Sequence, residues 1–118
     1  MTKDSKHTGP FADIELQDGQ IEELRAASGS LWVTINDWKE EKVVLEFFDV
    51  VGIEAFSPIG EDLSHGTVEQ TDAFIDTSCG RTGTARDEVL CFTFWSAWHD
   101  MPIMRIVARS FEQVRKDV

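Results

Sequence analysis

A chain of 118 residues with 22 acidic and 11 basic side chains carries a formal charge of −11. Such a surface repels phosphate backbones and anionic headgroups, which argues against nucleic-acid and membrane binding. The length suits one domain able to bury about 65% of its unfolded surface, and no apolar run nears the ~20 residues that span a bilayer.

The opening MTKDSKHTGP is polar and aperiodic, so residues 1–10 read as a disordered end and 11–118 as a single β-rich domain. That opening lacks the apolar stretch of a secretory leader. Cys79 and Cys91 are too few for a disulfide framework. Both points favour a cytoplasmic protein with two unpaired thiols.

Phe11 to Leu16 alternates weakly, as a short edge strand would. Residues 20–28 fit either a short helix started by Asp18 or a strand running into a three-residue hairpin loop, Ser28-Gly29-Ser30; the strand is the expectation. Leu31, Val33 and Ile35 alternate with Trp32, Thr34 and Asn36, and Val43, Leu45 and Phe47 with Val44, Glu46 and Phe48. With Lys39-Glu40-Glu41 between them, these two runs predict an antiparallel hairpin.

Asp49 to Gly66 holds Gly52, Pro58, Gly60 and Gly66 and reads as an irregular middle. Val68 to Thr77 predicts a further strand, Ser78 to Glu88 a polar loop, and Val89 to Trp98 an aromatic strand. His99 to Pro102 is a turn, because Pro102 has no N–H and pushes Met101 from helical angles. The tail from Ile103 fits a helical stripe and a strand alike, and a hairpin with the aromatic strand needs the strand through Ser110. The expected fold is mainly β, an antiparallel meander of about five to seven short strands, half-barrel or sandwich-like, with a short helix possible at 20–28 or at the C-terminus.

No constellation predicts catalysis. His99-Asp100 would point to opposite sides of an extended chain and suits turn chemistry better than a dyad. Glu61, Asp62 and His65 do not make a defined metal-ligand set. Cys79 beside Arg81 lacks a general base at a known spacing, and Thr82-Gly83-Thr84 follows no phosphate-loop pattern. No cofactor and no metal are expected.

The middle third is the acidic part, with eight acids against two bases over residues 31–66. Glu40, Glu41, Glu61 and Asp62 are therefore the candidate contacts for a basic protein partner. Trp95, projecting opposite Phe94, is the candidate exposed ring beside them. Two rivals remain at this point. One is a ligand-binding protein or minor enzyme with Trp32, Trp38, Trp95 or Trp98 and His65 or His99 around a cavity. The other is a homodimer joined through a strand edge.

The stretches "SLWVTINDW", "VVLEFFDVVGIEAFSP", "VLCFTFWSAW" and "PIMRIVARSFE" together resemble small bacterial β-rich proteins of uncharacterised families, some of them immunity proteins of polymorphic toxin systems. The resemblance spans roughly residues 21–112 and rests on strand rhythm, so it carries over no functional residue. It implies a mostly β, non-enzymatic protein of the bacterial cytoplasm, to which an acidic inhibitor of a basic toxin would correspond.

Overall fold

The computed structural model describes residues 9–116; most of the expected disordered end thus lies outside the described residues. The chain forms β1 (Gln20–Ala27), β2 (Ser30–Asn36), β3 (Lys42–Phe48), β4 (Gly52–Ala55), β5 (Leu63–Glu69), α1 (Ala73–Thr82), β6 (Leu90–Ser96), β7 (Pro102–Ala108) and β8 (Ser110–Lys116). The strands make two four-stranded antiparallel sheets, ordered β1-β2-β3-β8 and β4-β7-β6-β5. The protein is therefore mainly β and antiparallel, and the arrangement is a sandwich.

The β2–β3 hairpin follows from its side-chain alternation. Leu31, Val33 and Ile35 face Phe47, Leu45 and Val43 across the ladder, and all six are buried. β1 and β2 are joined by a two-residue turn, one shorter than expected. Ser28 and Gly29 both take positive φ, of 52° and 84°, the handedness that matches the twist of the flanking strands. The 20–28 segment is thus strand, and so is the C-terminal run. That run divides into β7 and β8 at Arg109, where the chain leaves one sheet for the other.

The inner faces meet around Phe11, which is fully buried. Its ring lies 5.3 Å from those of Phe92, Phe94 and Phe111 and 6.1 Å from that of Phe47, all edge-on. A Cβ on Gly66 would stand 2.6 Å from the Phe11 ring, so β5 can pass only because that residue has no side chain. Phe11 to Leu16 is accordingly no edge strand. The segment Gly9–Asp13 is a 3₁₀ turn that drives Phe11 between the sheets, and Leu16 is buried after it.

Three further expectations need correction. The irregular middle contains β4 and the start of β5, because short edge strands tolerate the glycines between them. The strand expected over 68–77 ends at Glu69, and the loop expected over 78–88 begins as helix. The only α-helix among the described residues, α1, is capped by Asp72, whose carboxylate accepts from Phe74 N at 2.7 Å. It is closed by left-handed Gly83, whose N–H donates to Cys79 O at 2.8 Å. Ten residues are too few for a self-supporting helix. This one is held by Ile75 and Cys79, one turn apart, packing on Val89, Cys91 and Val107. It roofs part of the second sheet's outer face, which is why Cys91, Phe92, Thr93 and Phe94 are all buried in succession.

Replacing Phe11 by alanine removes the ring on which four others close. Its expected cost is about 3–5 kcal/mol, read as a lowered urea midpoint at an unchanged denaturant slope.

Candidate functional site

The two sheets are stitched together at one end. Gln20 bridges Asp62 and Ile21 bridges Ile59. Leu63 N donates to Gly19 O at 2.8 Å, and Gly60 N to Ile21 O at 2.9 Å. The β2–β3 turn (residues 37–41), the 56–62 loop and the β6–β7 turn (residues 97–101) all lie at this end. The two turns carry Trp38, Trp98 and Met101, and the loop carries Phe56 and Ile59, all more than half exposed. A monomer rarely gathers large apolar groups in water without a use for them.

Each turn is shaped by a side chain. Asp37 accepts from Lys39 N and Glu41 N, both at 2.9 Å, and turns the chain back through Glu40, whose φ is +65°. Ser96 Oγ accepts from Trp98 N and His99 N, each at 3.2 Å, and donates to Glu61 Oε2 at 2.8 Å. Asp62 accepts from Gln20 Nε2 at 2.7 Å on one oxygen and from Trp98 Nε1 at 2.6 Å on the other. Its backbone carbonyl takes Ala97 N at 2.9 Å. The side-chain hydrogen bonds from Gln20 and then Trp98 hold the Asp62 carboxyl below the usual aspartate range, since both favour the charged form.

Of the acids singled out from sequence, Glu40, Glu41, Glu61 and Asp62 all lie at this end. Asp37 lies there too, and the remaining acids of the middle third are dispersed. Glu46 is on the outer face of the first sheet, opposite Trp32 and Glu112. Asp49 pairs with Arg109 at 3.0 Å and Glu54 with Arg105 at 3.4 Å.

Trp95 is not the exposed ring beside the acids. It is half-buried on the outer face of the second sheet, donates to Thr67 Oγ1 at 2.9 Å and stacks parallel on His65 with ring centroids 5.8 Å apart. The exposed rings are Trp98 and Trp38. Trp98, two positions beyond Ser96, falls past the end of β6, and Trp38 falls past the end of β2. The strand expected over Val89 to Trp98 runs two residues too far and so takes in Trp98. The available signal was their neighbours: Trp38 follows a turn-forming Asp, and Trp98 precedes His-Asp-Met-Pro.

Trp32 and Trp95 sit on opposite outer faces of the sandwich and cannot share a cavity. His65 Nδ1 contacts Ser64 Oγ at 2.9 Å, but among the described residues no carboxylate is shown to orient the imidazole. No group of three or more His, Cys, Asp or Glu side chains is gathered for a metal ion among them. The Cys91 thiol is fully buried beneath α1, and that burial pushes it up to about 11. Comparison of the chain with protein-family models, curated proteins and solved structures gives no match.

Two measurements check this geometry. Asp62 has a lowered pKa in the folded protein, so its hydrogen bond to the Trp98 indole persists as pH falls through the ordinary aspartate value of about 3.9 and is lost only below it. The Trp98 indole N–H resonance should therefore shift with a midpoint under that value, and Asp62→Asn should abolish the step. Cys91 should resist alkylation at pH 8 in the native protein and react after denaturation. Rapid native labelling at Cys91 would contradict its place beneath the helix.

Proposed function

We propose that the protein is a non-enzymatic binding module whose acidic, aromatic end receives a basic protein. One observation carries the reading: Trp38, Phe56, Ile59, Trp98 and Met101 are exposed at the end that also bears Glu40, Glu41, Glu61 and Asp62. Exposed aromatic and aliphatic groups supply the buried centre of an interface, and surrounding carboxylates select a basic partner and speed its approach. The expectation of an acidic contact region supports the same reading, with Trp98 in the role first given to Trp95.

An immunity-type protein, which covers and silences a basic toxin in the bacterial cytoplasm, is the form of this reading that the strand-rhythm resemblance implies. Among the described residues no helix is long and apolar enough to cross a membrane. The charge of −11 disfavours nucleic acid as the partner.

Affinity capture from the host lysate tests the reading. A basic protein should be retained at low salt, released near ~0.5 M salt as screening weakens the attraction, and lost with the double change Trp98→Ala and Asp62→Asn. No captured protein, or one indifferent to both salt and the double change, overturns it.

A further inference from the structure

We propose that the Trp98 indole and the Asp62 carboxylate form a receptor for one arginine side chain of the basic partner, an inference that rests on the partner reading above and deepens it. The four tryptophans make the comparison. Arg25 lies 4.5 Å over the Trp32 ring, Lys39 lies 5.2 Å over Trp38, and His65 stacks on Trp95. Each of these rings receives a basic side chain from the protein itself. Among the described residues Trp98 is the one indole whose ring has no such neighbour, and at 74% it is the most exposed large apolar side chain.

The ring is nonetheless fixed in place. Its Nε1 donates to Asp62, its backbone N–H donates to Ser96 Oγ, and Ser96 is tied to Glu61. An arriving side chain thus meets an ordered surface and loses little freedom in the receptor.

The acceptor side fits as well. Asp62 uses one lone-pair site on each oxygen, toward Gln20 and Trp98; a carboxylate oxygen has two, so one remains on each. A guanidinium suits this pair better than an ammonium. Its plane stacks on an indole and its parallel N–H groups match a carboxylate edge, whereas lysine brings a compact, strongly hydrated charge. The Arg25–Trp32 pair shows a guanidinium held over an indole within the chain.

The test is a titration of the ¹⁵N-labelled full chain with a blocked Gly-Arg-Gly peptide, beside peptides carrying lysine or uncharged citrulline in place of arginine. The arginine peptide should move the Trp98 indole resonance and the Asp62 and Ala97 amides in a saturable way, and the Trp32, Trp38 and Trp95 indoles much less. Its affinity should exceed that of the citrulline peptide by about threefold or more, with lysine between. Trp98→Leu, at an exposed position, should weaken the response at the Asp62 and Ala97 amides by a similar factor while the remaining spectrum stays native. Asp62→Asn should do the same, and if it unfolds the chain the Trp98→Leu result decides.

Equal responses to arginine and citrulline, shifts spread evenly over all acidic residues, or an unaltered response in Trp98→Leu would overturn the proposal. Capture of a basic protein that survives Trp98→Leu sinks this receptor and leaves the partner reading standing. Intact peptide binding without any captured protein sinks the partner reading and leaves the receptor.

Discussion

The sandwich closes on a single ring. Phe11 arrives on a 3₁₀ turn before the first strand, and the rings of Phe47, Phe92, Phe94 and Phe111 pack edge-on around it. Two of those rings come from each sheet, so one side chain serves as the shared contact of both layers. Burying a phenylalanine is worth about 1.5–3 kcal/mol, and each well-placed ring pair adds about 0.5–1.5 kcal/mol. Gly66 is the complement of that choice. A side chain there would occupy the space the ring needs, so the thin point in β5 and the bulky plug belong together.

Because the interior is satisfied in this way, the apolar groups outside it cannot be explained as core that failed to fold inward. They lie on turns and a loop at the stitched end, and the backbone there is well bonded. Asp37, Ser96 and Asp62 each use a side chain to fix a local backbone or ring geometry. The acids at that end therefore act twice: they shape the turns and they set the local charge. Around the helix the opposite holds. Cys91, Thr93 and Val107 are enclosed there, out of reach of solvent.

How much of this could be read from the residues depended on the number of covered faces. β2 and β3 have one buried face and one open face, so period-two alternation located both strands, though not the five-residue length of the turn between them. The helix was hidden because its apolar stripe is short. Ala73, Ile75 and Thr77 alternate like a strand, and only the caps, Asp72 and Gly83, marked its ends. Phe11 was misread because a plug has no period. Charge singles out Glu40, Glu41, Glu61 and Asp62 from the sequence, and all four lie at the stitched end. Their convergence depends on Gln20 meeting Asp62, 42 positions away, and no local pattern carries that distance. Trp98 was lost to the same alternation that found Phe92 and Phe94, since a strand's period says nothing about where the strand stops.

Trp38 hangs from a turn of the first sheet and Trp98 from a turn of the second. Neither indole sets the gap between them. That gap is fixed by how the layers stack, through the contact of Gln20 with Asp62 and, deeper in, through the plug ring. The stitched end thus behaves as a caliper whose jaws are tightened from inside the molecule. A change far from the surface that lets the layers slide would open the jaws while every turn kept its own shape. Binding of the proposed partner would then decline with the firmness of the core well before the chain came apart.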